Sequence, residues 1–239
     1  MSQTPHAPDR NHILAALPSA DYERLAPHLE RVEMYRGQTL YRAGERLDYV
    51  YFPIRSMISL VSEMADGSSV EVGIVGFEGM AGLSLVLGVE LSPHTQMVQI
   101  PDGGLRLRAE VLIDEFRRYG ALHDLLLRYT QGLMLHTAQL VACNRVHHVE
   151  ERLARWLLMS RDRCVCDELP LTQEFLSLML GVRRAGVTEA ALTLQADGYI
   201  HYTRGHITIT DRAGLEGASC LCYGIMREEF DRLTASAPA

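Results

Sequence analysis

Hydrophobic periodicity changes once along this chain, near Arg108, and that switch limits the folds open to it. Before it, short segments alternate with a period of two: Gln38 to Tyr41, Tyr49 to Phe52, Ser56 to Ser62, Ser69 to Val75, Met97 to Ile100 and Gly104 to Leu107. They are rich in β-branched and aromatic residues and are divided by Gly, Pro or Asp, with turns expected at Arg42-Ala-Gly44 and Asp66-Gly67. Many short strands at this spacing close into a small antiparallel barrel or jelly roll. A helical entry at Ser19 to Leu29, with Ser19 as its cap, precedes them, and one short helix is expected at Met80 to Leu87.

Beyond Arg108 the pattern is helical. Ala109 to Arg118 is one amphipathic piece, broken by Gly120. Leu122, Leu126, Tyr129, Leu133, His136, Leu140 and Cys143 then recur at alternating spacings of four and three, a heptad stripe. Its length and its polar or small members, His136 and Cys143, favour a helix–helix seam between two subunits over packing on the chain's own barrel. Val149 to Ser160 follows as a helix around Trp156, and a loop is expected over Arg161 to Pro170.

Composition excludes several classes. Apolar residues at 47% and charged residues at 22% are those of a folded chain, and 239 residues suit two modest domains. Apolar runs such as Leu83 to Val89 fall far short of the ~20 residues that span a bilayer. Met1 to Arg10 is polar, with Pro5 and Pro8, and shows no secretory leader, so a cytoplasmic location and no membrane partner are expected. The five cysteines all lie at or after Cys143, unlike a secreted disulfide framework, and are expected as reduced thiols. All positive charges are Arg, and the net charge of −7 is uneven: residues 145–212 are neutral while both flanks are acidic. A locally positive face is therefore most easily built in that block.

That block holds the most informative motif. Leu171 to Asp197 reads as helix, tight turn, helix, with Thr172 capping the first, Glu174 near its positive end and Gly181 at the turn. The second helix begins at Arg183 and Arg184 and keeps Val182, Val187, Ala190, Ala191 and Leu194 for packing, which puts Arg184, Ala185 and Thr188 on the other face. An apolar side that holds the helix and polar groups at its first turn are what base-edge reading requires. After Gly198, Tyr199 to Thr210 alternates around Arg204-Gly205, a hairpin that makes the unit a winged helix-turn-helix.

With a barrel, a long helix and then Leu171-Thr-Gln-Glu-Phe175, Leu180-Gly-Val-Arg-Arg184, Val187-Thr188 and Leu194-Gln-Ala-Asp-Gly-Tyr-Ile200, the chain resembles the Crp/Fnr family of bacterial transcription regulators from about Arg31 to Leu215. The fold class expected is α+β, divided into a cyclic-nucleotide-binding-like barrel over residues 1–120, a dimerisation helix over 121–145, the winged domain over 146–216 and a helical tail over 217–239. The resemblance implies a homodimer reading an inverted repeat in double-stranded DNA, with RNA polymerase as a further partner. By family position Arg184 matches the arginine that reads guanine, for which a bidentate guanidinium is the physical reason. Ala185 stands where the family commonly has an acidic base-reader and Gly186 where it has Ser or Thr, so the operator should differ from the best-known sites. Arg183, Thr172, Gln173, Arg204 and His206 are cast as phosphate contacts, and Thr188 joins the DNA face.

For the effector, the stretch matching the family's nucleotide pocket is Gly76 to Gly82 with Pro93 to Gln96, giving Glu78, Gly79, Met80, Ala81, His94 and Gln96 as candidates. It lacks the arginine that neutralises a cyclic phosphate, so control by cyclic AMP is not expected and the effector stays unnamed. The N-terminal cysteines of the family's iron–sulfur sensors are also absent. Cys164/Cys166 and Cys220/Cys222 would form a four-thiolate site only if the two pairs met, and the adjacent His147 and His148 point to different faces, so no metal and no cofactor are expected. Two other readings are open. A cupin-type enzyme needs a His-x-His and Glu cluster where the barrel offers only His94. A protein-interaction module using the barrel has no need of an exposed basic helix start.

Overall fold

The computed structural model describes residues 11–234; the reading of Met1 to Arg10 and the last five residues of the tail lie outside the described residues. Entry is through α1 (His12–Ala15) and α2 (Ser19–Leu25), continued by a 3-10 turn over Ala26–His28. Asn11 anchors it: its Oδ1 accepts from the amides of Ile13 and Leu14 while its Nδ2 donates to the carbonyls of Pro53 and Gly79. Pro18, not Ser19, stands at the cap of α2, where it offers no side-chain bond.

The strands are β1 (Glu30–Met34), β2 (Thr39–Tyr41), β3 (Tyr49–Pro53), β4 (Met57–Glu63), β5 (Ser69–Val75), β6 (Thr95–Ile100) and β7 (Asp102–Arg108), with a 3-10 turn over Leu83–Leu87. They form two antiparallel sheets, ordered β1-β7-β3 and β2-β6-β4-β5. Register places Phe52 opposite Leu105, and Ile58 opposite both Val75 and Val98. Inward residues of both sheets, among them Met34, Val50, Phe52, Ile58 and Val98, are almost wholly removed from water, the main stabilising term for a barrel of short strands. Strand β1 was not expected, because Glu30, Arg31 and Glu33 mask its alternation, and only Met34 in it is buried.

Then come α3 (Ala109–Phe116), α4 (Ala121–Val146), α5 (Val149–Cys164), β8 (Glu168–Leu169), α6 (Gln173–Leu180), α7 (Arg184–Ala196), β9 (Ile200–Thr203), β10 (His206–Ile209), α8 (Arg212–Ala218) and α9 (Cys222–Thr234). Helix α5 runs four residues beyond the sequence reading, and β8 adds a third strand to the hairpin, giving the order β8-β10-β9. Cys164 and Cys166 are joined by a disulfide, which corrects the expectation of five free thiols; Cys143, Cys220 and Cys222 are free and buried.

Helix α4 has 26 residues, ~39 Å at 1.5 Å per residue. Its stripe does not face outward. Leu122, Leu126, Tyr129, His136, Leu140 and Cys143 are buried against this chain's own barrel and C-terminal helices, and Leu133 is half-buried, so as a subunit seam that set is corrected. The outward face instead carries Leu127, Met134 and Val141, seven residues apart and 43%, 65% and 68% exposed. The winged unit is docked on the barrel. Gln99 of β6 donates to the sulfur of Met179, Gly181 packs on Val70, and the Arg163 guanidinium meets the Glu78 carboxylate at 2.8 Å with both side chains buried.

Candidate nucleic-acid interface and effector cavity

Local chemistry explains each element of the helix-turn-helix. The Thr172 hydroxyl accepts from the Phe175 amide at 3.2 Å and so caps α6, while Leu176, Met179 and Leu180 bury its inner face. Gly181 ends it at φ +61°, with the Gly181 amide on the Leu178 carbonyl and the Val182 amide on that of Ser177. This paired closure needs a left-handed residue, which glycine supplies without a Cβ penalty. The chain then turns directly into α7.

Arg183 occupies the cap position of α7 in extended backbone and Arg184 is its first residue. Val187, Ala190, Ala191 and Leu194 are buried, whereas Arg183, Arg184 and Ala185 are exposed and Thr188 is half-exposed. Gln173, at the start of α6, ties the two helices together: its Oε1 lies 3.0 Å from the Thr188 hydroxyl and accepts from Arg184 Nε at 3.5 Å. It thus holds the Arg184 stem as well as standing beside it, a role that its position in the sequence did not reveal. A second positioning residue was missed altogether. Gln195 Oε1 accepts from the Tyr202 amide at 2.7 Å and fixes the hairpin against the end of α7. The hairpin tip is Arg204-Gly205, with Gly205 at φ +78°, and His206 lies 3.4 Å from Glu168 of β8. Thr172, Gln173, Arg184 and Arg204 border one surface groove of about 600 Å³ between α6, α7 and the hairpin. No single signal in a linear reading places these four side chains around one groove.

The second concavity is a cavity of about 470 Å³ between the barrel and α4. Met80, Ala81, His94 and Gln96 line it from the barrel, and Thr130, Leu133 and Thr137 line it from α4. Two of the expected effector residues are elsewhere. Glu78 turns away to Arg163 and the Gly76 amide, and Gly79 packs so closely on Tyr129 that a Cβ there would sit 2.2 Å from the phenol oxygen. Among the described residues no guanidinium lines the cavity. His94 Nδ1 and Gln96 Oε1 are buried in it without a hydrogen-bond partner, and burial pushes the His94 pKa down, so its ring is neutral around pH 7.

A family model described as a Crp-like helix-turn-helix domain matches residues 151–218, the segment from α5 through α8. Residues 151–218 are thus a Crp-like helix-turn-helix domain. It is 27% identical over 216 residues to the transcriptional activator protein FnrL of Cereibacter sphaeroides, covering 82% of this chain and 84% of that protein. In fold it is similar to FixK2 of Bradyrhizobium japonicum (TM-score 0.67, 16% identity, 80% of this chain and 98% of that one). It is similar too to a CRP-family transcriptional regulator of Thermus thermophilus (TM-score 0.65, 19% identity, 80% and 96%). The Crp/Fnr fold accounts for the cyclic-nucleotide-binding-like barrel, the long helix and the winged unit in their observed order. Among the described residues no helix is long and apolar enough to cross a membrane.

Proposed function

We propose that this chain is a transcription regulator of the Crp/Fnr type that binds, as a homodimer, a two-fold symmetric operator, with α7 of each subunit in a major groove and Arg184 reading a guanine. The carrying observation is the exposure of Arg183, Arg184 and Ala185 at the start of a helix whose other face is buried, beside a groove also bordered by Thr172, Gln173 and Arg204. Arg183, Thr172 and Arg204 contact phosphate and fix register; Ala185 offers only a methyl group, suited to thymine. His206 joins them when its partner Glu168 gives way to phosphate. RNA polymerase is the further partner of such a promoter-bound dimer.

The subunits meet along α4 through Leu127, Met134 and Val141, the apolar side that this chain leaves open. Met134 and Ala138 lie both on that side and at the rim of the barrel cavity, so a partner helix would also close the cavity. The effector is a small, largely apolar, uncharged molecule that pairs with His94 and Gln96; a cyclic phosphate buried there would lack a cation. The chain regulates and does not catalyse in this reading.

Selection of the purified chain against random duplexes tests it. An inverted repeat with half-site centres about 10 bp apart supports the proposal. Binding without an enriched motif, at any salt concentration, overturns it.

A further inference from the structure

Three free thiols and one imidazole converge at the joint between α4 and α5. Cys143 and His147 lie one turn apart at the end of α4, where the His147 amide donates to the Cys143 carbonyl. Cys220 arrives from the segment between α8 and α9, and Cys222 is the first residue of α9. In that Cys-Leu-Cys run Leu221 is 85% exposed while both cysteines are buried, so the alternation turns both sulfurs inward. Cys143 Sγ lies 3.5 Å from Cys220 Sγ, Cys222 Sγ lies 3.5 Å from His147 Nδ1, and all four ligand atoms fall within 4.8 Å of one another.

We propose that Cys143, His147, Cys220 and Cys222 bind one thiophilic divalent cation of the Zn²⁺ class in a closed, tetrahedral, structural site. With Zn–S about 2.3 Å and Zn–N about 2.0 to 2.1 Å, a tetrahedron has S···S edges of about 3.8 Å and S···N edges of about 3.5 Å. The observed separations need only a small closure. A cubane cluster would spread its ligands much further apart, so the geometry selects a single ion.

Two other observations support it. The Gln139 side-chain amide donates to Cys222 Sγ at 3.1 Å, the kind of outer hydrogen bond that orients a thiolate ligand. Arg152 and Arg155 of α5 are buried nearby, and the Nε of each has no hydrogen-bond partner. Buried cations call for an anionic counterpart. Three thiolates, one neutral imidazole and a divalent ion carry a net charge of −1 and supply it. On binding, Zn²⁺ displaces the protons of the three thiols to solvent and takes the imidazole lone pair; no electron is transferred. Since two ligands come from the end of α4 and two from the residues that lead from α8 into α9, the ion would fasten the long helix to the C-terminal end of the DNA-binding unit and to the start of α9.

The test uses the full chain purified under reductant without chelator, with Zn²⁺ and Co²⁺ as probes. Expected are one zinc per chain by elemental analysis and, on exchange, a cobalt spectrum with thiolate charge-transfer bands and a tetrahedral ligand-field pattern. Cys220→Ser and Cys222→Ser each lower zinc affinity at least tenfold, and the double Cys164→Ser/Cys166→Ser variant keeps it. If the serine variants fail to fold, His147→Cys serves in their place: it keeps one zinc and moves the cobalt spectrum to the four-thiolate pattern, which a merely structural disturbance does not do. A reduced chain that takes up no zinc from an equimolar solution overturns the proposal. So does unchanged affinity in Cys222→Ser, an unmoved cobalt spectrum in His147→Cys, or an iron–sulfide chromophore with more than one iron per chain.

Discussion

The indole Nε1 of Trp156, on the first helix of the DNA-binding unit, donates to the buried carboxyl of Glu71 on the barrel at 2.8 Å, and the Ser59 hydroxyl shares the other carboxyl oxygen. Burial pushes the Glu71 pKa up from 4.5 to about 7, against the opposing pull of these bonds and of Arg155 and Arg163. Between those values the folded chain binds more protons than the unfolded one, so this group's contribution to stability is full below about pH 4.5 and falls as pH rises through 7. A shift of that size corresponds to about 3 kcal/mol, an order-of-magnitude figure. Glu71→Gln keeps an acceptor for Trp156 and removes the titration. Its urea stability should therefore gain on the wild type from pH 5 to about pH 7 and level off above that, and parallel curves would refute the assignment.

A second link between barrel and winged unit is the Arg163–Glu78 pair. Arg163 also donates to the Met159 carbonyl at 3.0 Å and lies over the Phe230 ring at 4.9 Å. With both partners buried, Glu78→Ala leaves a guanidinium uncompensated and is expected to cost about 3 to 5 kcal/mol. Glu78→Leu combined with Arg163→Met removes both charges and should recover much of that loss. Denaturant midpoints for the single and double variants decide it; equal losses would show that packing, not charge, is what the pair supplies.

The two apolar sides of α4 separate stability from assembly. Met134→Glu changes an exposed position, so it should leave the thermal midpoint within a few degrees and shift the sedimentation profile from dimer to monomer. Leu126→Ala hollows a buried position and should lower stability by about 2 to 5 kcal/mol without changing the subunit interface. A dimeric Met134→Glu chain would move the interface elsewhere.

Those two sides also show where a linear reading stops. Spacings of three and four establish an amphipathic helix, but Leu127, Met134 and Val141 repeat every seven residues on another side of it, and only the packed barrel decides which side turns inward. Thr172, Gly181, Gly198 and the Arg204-Gly205 turn were legible because each acts through its immediate neighbours: a cap, a left-handed backbone, a hairpin tip. Strand β1 was hidden by its charged edge residues. Gln173 and Gln195 were invisible as positioning groups, since their partners are fixed by the crossing of α6, α7 and the hairpin. The Cys143, His147, Cys220 and Cys222 cluster joins segments more than seventy residues apart, and its Cys-x-Cys half lacks the usual zinc-ligand spacing.

The effector cavity yields a prediction by charge. Millimolar cyclic AMP or cyclic GMP should leave both the melting temperature and the operator affinity unchanged, because His94 is held neutral and, among the described residues, no guanidinium lines the cavity. A rise in melting temperature with either nucleotide would place the phosphate on groups other than those lining the cavity now.

The DNA face can be divided by function. Arg184→Ala removes the long donor on the exposed first residue of α7 and should cost about 1 to 3 kcal/mol at one guanine per half-site while leaving affinity for random duplex almost unchanged. Arg204→Ala, at the hairpin tip, should weaken all sequences alike and reduce the salt slope by about 1. Gln173→Ala gives an intermediate result, since it frees the Arg184 stem without removing the guanidinium: specificity for the same guanine falls, though less than in Arg184→Ala, and the salt slope is kept. Competition titrations of operator and random duplex at several salt concentrations measure all three. If Arg184→Ala lost equally on both DNAs, Arg184 would be a phosphate contact and the reading of the operator would pass to another residue of the same turn.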